Sequence, residues 1–181
     1  MTARAVPPVL ETPRIRLRCW RETDREVFAA LHAHPEVMQD YGGPLDRLES
    51  DKKFERYGAA FERHGFGRWA VETLGGEFLG YAGIMPSPPD HPLGPHVDIG
   101  WRLMRAAWGQ GYATEAARAA LHDAFTRCRI PEILAFTAAE NLRSQAVIER
   151  LRLRRDPSRD FSFPYGNRTW HGLVWVATPS F

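Results

Sequence analysis

The segment 97–120, VDIGWRLMRAAWGQGYATEAARAA, constrains the fold more than any other part of the 181-residue chain. Its first seven residues place large apolar side chains at every second position, which predicts a β-strand over 97–103. A turn follows that contains two glycines, Gly109 and Gly111. From Thr114 the apolar spacing becomes that of a helix, which we expect to run to residue 127. The segment therefore predicts a strand, a tight turn and a helix in succession.

This succession is typical of an anion-binding site. The first N–H groups of a helix have no partner within it, and the helix dipole is positive at that end. Glycine lets the backbone approach a ligand closely, so the turn favours a phosphate or pyrophosphate. On spacing alone, a tight turn without a ligand is an equal alternative. A P-loop is disfavoured, because Tyr112 and Ala113 stand where its Lys and Ser or Thr would follow the last glycine.

The rest of the chain predicts a single mixed α/β domain over 12–178, after a Pro-rich loose arm over 1–11. Further strands are expected over 14–19, 66–72, 77–84, 133–137 and 170–178, and further helices over 22–33, 48–64 and 141–151. Prolines and glycines predict loops over 86–95 and 161–168. The arginines that alternate along the first strand are expected to face water or an anionic partner. This order predicts a mixed sheet with helices on both faces.

Composition and patterning exclude several classes of function. The net charge of +2 is too small to indicate a nucleic-acid partner. No apolar run is long enough for a membrane span and no signal peptide is visible, so we expect a cytoplasmic protein. Cys19 and Cys128 stand alone in apolar patterns, which predicts buried free thiols. The histidines lack the spacing of metal ligands, so no metal is expected.

Five short motifs occur in order along nearly the whole chain: ETPRIRLR at 11–18, HPEVM at 34–38, IGW at 99–101, WGQGYATEA at 108–116 and NLRS at 141–144. Together they resemble the GCN5-related N-acetyltransferases (GNAT), and among them the branch of the ribosomal-protein N-terminal acetyltransferases (RimJ/RimL type). The resemblance implies the GNAT fold. That fold has a central, mostly antiparallel sheet of six to seven strands, split by one parallel strand pair, with helices on both faces.

The resemblance also implies a site for acetyl-coenzyme A, with its pyrophosphate on the turn 109–114. The cofactor-binding residues that it implies are Trp101, Arg102, Leu103, Met104, Gly109, Gln110, Gly111, Tyr112, Ala113, Thr114, Asn141 and Ser144. Trp108 stands where the family pattern has Gln or Arg, a substitution familiar in this branch. A family bulge near 101–104 would turn the N–H of Leu103 toward the thioester carbonyl. The pantetheine arm would lie between 97–103 and 133–137, within hydrogen-bonding reach of Asn141.

Acetyl transfer from a thioester to an amine needs two proton movements. Asp98 is the candidate base that removes the ammonium proton, directly or through water. A structural ion pair with a strand arginine is an equal alternative. Many family members have a Tyr as the general acid for the thiolate, but Ile148, which cannot donate a proton, stands at that position here. Ser144 is therefore the candidate donor to the departing thiolate. A serine bonded to the preceding helical carbonyl is an equal alternative, and protonation by solvent is a third.

The implied function is an N-acetyltransferase that moves acetyl from acetyl-CoA to a primary amine, by direct attack in a ternary complex. The acceptor would be a protein or peptide N-terminus or a small-molecule amine. Tyr41 and Trp69 are candidate residues of its pocket, although aromatic residues on strands more often belong to the core. The alternative is a non-catalytic acyl-CoA-binding sensor or partner module, which needs neither Asp98 nor Ser144. A monomer or a homodimer is expected.

Overall fold

The computed structural model describes residues 7–165 and 167–180. The strands are β1 (Leu10–Glu11), β2 (Ile15–Arg18), β3 (Arg68–Thr73), β4 (Phe78–Pro86), β5 (Val97–Leu103), β6 (Ile133–Ala138), β7 (Arg154–Arg155), β8 (Phe161–Tyr165) and β9 (Arg168–Ala177). The helices are α1 (Arg25–Ala33), α2 (Arg47–His64), α3 (Tyr112–Thr126) and α4 (Leu142–Arg150). All six predicted strands and all four predicted helices are present, because each carries a regular apolar period.

The strands form one mixed sheet in the order β1-β2-β3-β4-β5-β6-β9-β7, with β8 also paired to β9. Among the described residues, β5 and β6 are the one parallel pair, and the other pairs are antiparallel. The mixed α/β class is therefore confirmed, but the described sheet has nine strands where six to seven were expected. Two of the additional strands, β1 and β7, have two residues each and carry no periodic signal.

The third additional strand, β8, lies in the segment that was predicted to be a loop. Its residues Phe161, Ser162 and Phe163 alternate as a strand does, but Pro164 argued against a strand. The prediction was wrong because β8 is an edge strand that, among the described strands, pairs with β9 alone, with Pro164 opposite Thr169. Proline is tolerated at such an edge, where one side of the strand needs no hydrogen-bond donor.

The last two residues of the predicted N-terminal arm belong to the sheet. Leu10 pairs with Leu17 and Glu11 with Arg16, so β1 extends the edge beyond β2. The first six residues of that arm lie outside the described residues. The described part of the segment is therefore anchored to the domain by strand pairing at its end.

Helices cover both faces of the sheet, as expected. On one face, α3 packs against β4 and β5 through Ala116, Ala117 and Ala120, whose small side chains let the helix lie close to the strands. On the other face, α1 and α2 pack together, and α1 contacts β4. Strand alternation in β4 directs Ala82 toward the first core and Tyr81 toward the second. Burial of the two apolar faces of the sheet is the main force that holds the layers together.

The arginines of β2 pair with carboxylates of the same chain, although the side chain of Arg16 stays 30% exposed. Arg18 is buried and forms ion pairs with Asp24 at 2.7 Å and with Glu72 at 2.7 Å. Arg16 reaches Glu11 and the same Glu72. The prediction was wrong for Arg18, which is buried, because Asp24, the residue before α1, and Glu72 of β3 supply its anions.

Candidate active site

The glycine turn before α3 has the geometry of a helix-start anion site. Gly109 has φ of 75° and Gly111, the N-cap of α3, has φ of 82°. Both values lie in the left-handed region that favours glycine. The N–H of Glu115 is the first to bond back along the helix, to the carbonyl of Gly111 at 3.1 Å. The N–H groups of the residues between them therefore remain available at the positive end of the helix dipole.

Arg14, the residue before β2, holds this turn in place. Its guanidinium donates to the carbonyl of Gln110 at 2.8 Å and pairs with Glu115 at 2.7 Å. It also lies over the Tyr112 ring, 4.7 Å from the centroid. This arginine was missed as a site residue, because nothing in the local sequence links it to a turn about 100 residues away.

A cleft of about 510 Å³ opens along this turn. The predicted cofactor residues that line it are Trp101, Arg102, Leu103, Gly109, Gly111, Tyr112, Ala113, Thr114, Asn141 and Ser144. Arg143 and Arg150 of α4 also line it and add positive charge. The hydroxyl of Thr114 is buried and has no hydrogen-bond partner within the described part of the chain. A buried hydroxyl without a partner is costly, so this corner suits a ligand rich in acceptor oxygens, such as a diphosphate.

Two predicted cofactor residues do not line this cleft. Met104 packs against the aromatic core under α1 and α2, and its N–H donates to the Leu79 carbonyl. The side-chain amide of Gln110 donates to the carbonyl of Ala106. Gln110 therefore contributes through its backbone, whose carbonyl Arg14 holds.

Trp108 uses its indole for contacts within the protein. The indole N–H donates to the Leu103 carbonyl at 3.1 Å. The guanidinium of Arg143 lies 3.8 Å from its ring centroid, and that of Arg105 lies 4.7 Å away. Trp108 thereby ties the end of β5 to the turn and supports an arginine of the cleft wall.

The bulge predicted near 101–104 in β5 is absent. Every residue of β5 pairs with one residue of β4, from Val97 opposite Pro86 to Leu103 opposite Gly80. The irregularity instead lies between β3 and β4, at Val71 and Glu72. The prediction was wrong because a bulge that shifts the register carries no reliable local sequence signal.

A split in the sheet does open beside β5. The pairing of β5 with β6 consists of Asp98 opposite Leu134. The N–H of Met104 points toward β4, where it donates to Leu79. Because N–H directions alternate along an antiparallel strand, those of Leu103 and Trp101 point the other way, into the split.

A second cavity, of about 610 Å³, lies on the other side of β5. It shares five lining residues with the first cleft: Asp40, Trp101, Arg102, Asn141 and Ser144. The two cavities therefore meet beside the N–H groups that point into the split. We call the first the cofactor cleft and the second the acceptor cavity.

Asp98 lines the acceptor cavity and forms an ion pair with Arg68, the first residue of β3. The Arg68 guanidinium also donates to the Gly83 carbonyl. It lies so close to β5 that a Cβ at Gly100 would come within 2.9 Å of Nη2. The structure thus contains the ion pair with a strand arginine that was the alternative to a role for Asp98 as base.

Asn141 and Ser144 stand together at the start of α4. Asn141 caps the helix, because its Oδ1 accepts the N–H of Ser144 at 3.2 Å. Its side-chain NH2 group keeps two donors for a ligand. Ser144 is half-buried and lines both cavities. Ile148, one turn further, is 1% exposed and belongs to the core.

The two predicted acceptor residues differ in position. Tyr41 lines the acceptor cavity, and the Lys53 ammonium lies 4.4 Å from its ring centroid. Trp69 is 2% exposed and packs on Phe61, with ring centroids 4.5 Å apart. The alternation of β3 turns Trp69 into the core beneath α3, away from the acceptor cavity, so the structure does not support it as a pocket residue.

The acceptor cavity also contains a group of polar residues that the sequence did not reveal. Tyr57 and Tyr81 lie in its wall with ring centroids 5.2 Å apart, and the Tyr81 hydroxyl lies 3.3 Å from Nε2 of buried His32. Burial raises the pKa of Tyr57, but the charges of Lys53 and Arg68 outweigh it and bring that pKa to about 8. The cations around Tyr57 therefore favour its ionised form.

Within the described residues, no helix is both long and apolar enough to cross a bilayer, and no group of three or more His, Cys, Asp or Glu side chains could hold a metal ion. Cys19 and Cys128 are free and half-buried, and burial raises the pKa of both thiols.

Residues 14–154 match the acetyltransferase (GNAT) domain, so the chain belongs to the GNAT family of acetyltransferases. It is 34% identical to the uncharacterized protein YkkB of Bacillus subtilis, over 78% of this chain and 83% of YkkB. It is 33% identical to the FsC-acetyl coenzyme A-N(2)-transacetylase of Aspergillus fumigatus, over 82% of this chain and 65% of that protein.

A crystal structure of an acetyltransferase from Agrobacterium tumefaciens superposes with a TM-score of 0.78, at 28% identity and 94% coverage of both chains. Membership of the GNAT family is thereby confirmed. It assigns acetyl transfer to amines as the general activity of the chain. The RimJ/RimL branch stays a prediction.

Proposed function

We propose that this chain is an acetyl-CoA-dependent N-acetyltransferase that acts on a primary amine by direct attack while both substrates are bound. The observation that carries the proposal is the meeting of two cavities at Trp101, Arg102, Asn141 and Ser144. One cavity has the features of an anion site at a helix start, and the other has room for a separate molecule. Two substrates bound in this way need no covalent enzyme intermediate, and their alignment lowers the barrier.

The cofactor cleft fits acetyl-CoA. The turn at Gly109 and Gly111 would receive the pyrophosphate, with the unpartnered hydroxyl of Thr114 as an additional donor. Arg143 and Arg150 would attract the remaining phosphate. Asn141 would donate a hydrogen bond to the pantetheine arm. When bound, acetyl-CoA supplies an acyl group that is already activated as a thioester.

The split beside β5 is suited to stabilise the acyl oxygen. The N–H of Leu103, or that of Trp101, would donate to this oxygen as negative charge develops on it. The Trp108 indole donates to the Leu103 carbonyl, which anchors the following peptide unit and so the end of β5. Donors that are already oriented require no rearrangement during the reaction.

The proton movements involve Asp98 and Ser144. The Arg68 guanidinium donates a hydrogen bond to Oδ1 of Asp98. The proton of the acceptor ammonium would therefore pass to Oδ2, or to a water molecule. The Ser144 hydroxyl would donate a hydrogen bond to the departing thiolate, and solvent would supply the proton. Both roles are proposals, and a mainly structural role for Asp98 agrees with its ion pair.

A turnover screen tests the proposal. Thiol release from acetyl-CoA would be measured over a library of small amines and of peptides with varied first residues, with mass spectrometry of the products. We expect N-acetylated product from one class of primary amine, at a rate proportional to enzyme concentration. Acetyl-CoA binding without turnover on any amine would favour the alternative of a sensor or partner module.

A further inference from the structure

Three cationic side chains line the acceptor cavity: Lys53, Arg68 and Arg102. Arg68 is paired with Asp98, and Arg102 is paired with Asp40 at 2.8 Å. Each arginine charge is therefore balanced by a carboxylate of the same cavity.

Lys53 differs from the two arginines. Its ammonium lies over the rings of Tyr41 and Tyr57, at 4.4 and 5.8 Å from their centroids. Within residues 7–165 and 167–180, no carboxylate lies at ion-pairing distance from it. The aromatic faces attract the cation but do not neutralise it.

The lysine nevertheless stays charged. Burial lowers its pKa, but electrostatic interaction with the phenol groups of Tyr57, Tyr81 and Tyr41 outweighs this effect and leaves the pKa above its ordinary value. The remaining carboxylate of the cavity wall, Asp90, is exposed to solvent in the loop before β5. Among the described residues, the Lys53 ammonium is therefore the one lysine or arginine charge of the cavity without a carboxylate at ion-pairing distance.

We propose that the acceptor is an amine that also carries a carboxylate, and that Lys53 binds this carboxylate. The inference rests on the proposed function, because it assigns the acceptor of that same reaction. A carboxylate carries one negative charge and balances the single ammonium, whereas a phosphate dianion would leave an excess negative charge in the cavity. A polyamine would instead place further cations beside Lys53, which like-charge repulsion disfavours.

Tyr41 contacts both Lys53 and Arg102, which lines the junction where the amine would react. The Lys53 ammonium lies 4.4 Å from the centroid of the Tyr41 ring, and the guanidinium carbon of Arg102 lies 5.8 Å from it. Arg102 lines the junction with the cofactor cleft. An acceptor that spans the Tyr41 ring would therefore place its carboxylate at Lys53 and its amine at the junction.

The test compares matched pairs of acceptors. ω-Amino acids of increasing chain length and their carboxamides would be assayed for kcat/KM, together with aminoalkyl phosphates of the same lengths. In the wild-type enzyme we expect each preferred acid to exceed its amide at least about 10-fold, as one charge-assisted hydrogen bond allows. We expect the phosphates to be poorer acceptors than the acids.

The Lys53→Gln variant should reduce this ratio of acid to amide to about one, mainly through a higher KM for the acid. Lys53→Arg should retain a preference for the acid. Lys52→Gln is a matched control, because Lys52 is the adjacent residue of α2 and is exposed, so the preference should persist. Circular dichroism and acetyl-CoA affinity would verify that each variant is folded.

Three outcomes would overturn the inference. Equal turnover of acids and amides by the wild-type enzyme would show that no anion is recognised. A preference for acids over amides that survives Lys53→Gln would show that another residue binds the carboxylate. A preference for aminoalkyl phosphates over the acids would show that the acceptor carries a phosphate and not a carboxylate. In each case the proposed function would stand, whereas the absence of turnover with every amine would contradict the proposed function itself and this inference with it.

Discussion

The cofactor cleft and the acceptor cavity share residues but are built in different ways. The cleft is formed largely by the backbone of one continuous segment, from β5 through the glycine turn into α3. The acceptor cavity is formed by side chains from α2, β3, β4 and β5 and from distant loops, held by ion pairs and ring contacts. A site made of backbone groups therefore follows from the fold itself. The ligand preference of a site made of side chains can change by single substitutions without loss of the fold.

The largest effect is expected from blocking the backbone-made site. In Gly111→Trp, the new side chain meets a φ of 82° and a Cβ position 3.3 Å from Nη2 of Arg14. We expect it to cover the start of α3 and weaken CoA binding at least about 1000-fold, or about 4 kcal/mol, by isothermal titration calorimetry.

Gly76→Trp is the matched control for this change. Gly76 has φ of 91° and lies in the turn between β3 and β4, with nothing within 4 Å of its Cβ position. The variant carries similar backbone strain outside the cofactor cleft, so its CoA affinity should remain near that of the wild type. Near-normal affinity in Gly111→Trp would show that the pyrophosphate does not bind at this turn.

The second largest effect is a loss of stability, expected when the ion pair between Asp98 and Arg68 in the acceptor cavity is broken. Asp98→Asn leaves the Arg68 charge without its partner, where the two side chains are only 17% and 10% exposed in the wild type. We expect the free energy of unfolding in urea to fall by about 3 kcal/mol or more. Replacing both residues, in Asp98→Leu with Arg68→Met, should recover most of the loss, because no unpaired charge remains.

Activity measurements on the same variants separate the two roles of Asp98. If the carboxylate accepts a proton, the stable double variant should still have a low kcat. If Asp98 serves only the ion pair, kcat should recover together with stability. An Asp98→Asn protein as stable as the wild type would contradict the structural role of the pair.

Acid should lower the free energy of unfolding through His32, whose buried side chain contacts Tyr81 in the wall of the acceptor cavity. Burial, followed by the charge of Lys53, lowers the pKa of His32 to about 3 in the folded protein, against about 6.5 when unfolded. Below pH 6.5 the unfolded chain binds the proton more readily, so this contribution to stability is complete above that pH and is lost toward pH 3. From pH 7 to pH 5 we expect a loss of about 2 kcal/mol.

Urea unfolding at the two pH values measures this loss. The variant His32→Gln should lack this part of the pH dependence. His122→Gln changes an exposed histidine on α3 and should retain it. Identical pH dependence in His32→Gln and the wild type would exclude His32 as the cause.

The smallest effect is a reduction of kcat, expected from removing the Ser144 hydroxyl where the two cavities meet. Ser144→Ala removes a hydroxyl that would only hydrogen-bond the thiolate, so kcat should fall about fivefold, equivalent to about 1 kcal/mol. Ser144→Thr keeps a hydroxyl and should retain more activity. An unchanged kcat in Ser144→Ala would leave solvent as the sole donor.

Much of the cofactor cleft was predictable from the sequence because its signals are local. The period of two in β5, the two glycines and the change to a helical period at α3 lie within 24 consecutive residues. Ten of the twelve predicted cofactor residues line the cleft, and the two exceptions, Met104 and Gln110, have side chains that turn elsewhere.

The acceptor cavity was far less predictable. Asp98 was identified, but its partner Arg68 lies 30 residues away, and no local pattern links the two. Trp69 was predicted to line the pocket, but the register of β3 turns its side chain toward Phe61. Lys53 gave no signal, because a lysine on a polar helix face is ordinary in sequence.

Four helices, six of the nine described strands, the glycine turn and the family could be read from the sequence, because periodicity, φ preferences and short motifs act over neighbouring residues. Tertiary contacts were needed to establish where the sheet splits, which carboxylate meets which arginine, and that Lys53 has no carboxylate partner within the described part of the chain. These outcomes depend on strand register and on contacts between residues far apart in the chain. A shift of one residue in a strand reverses which side chains share a face.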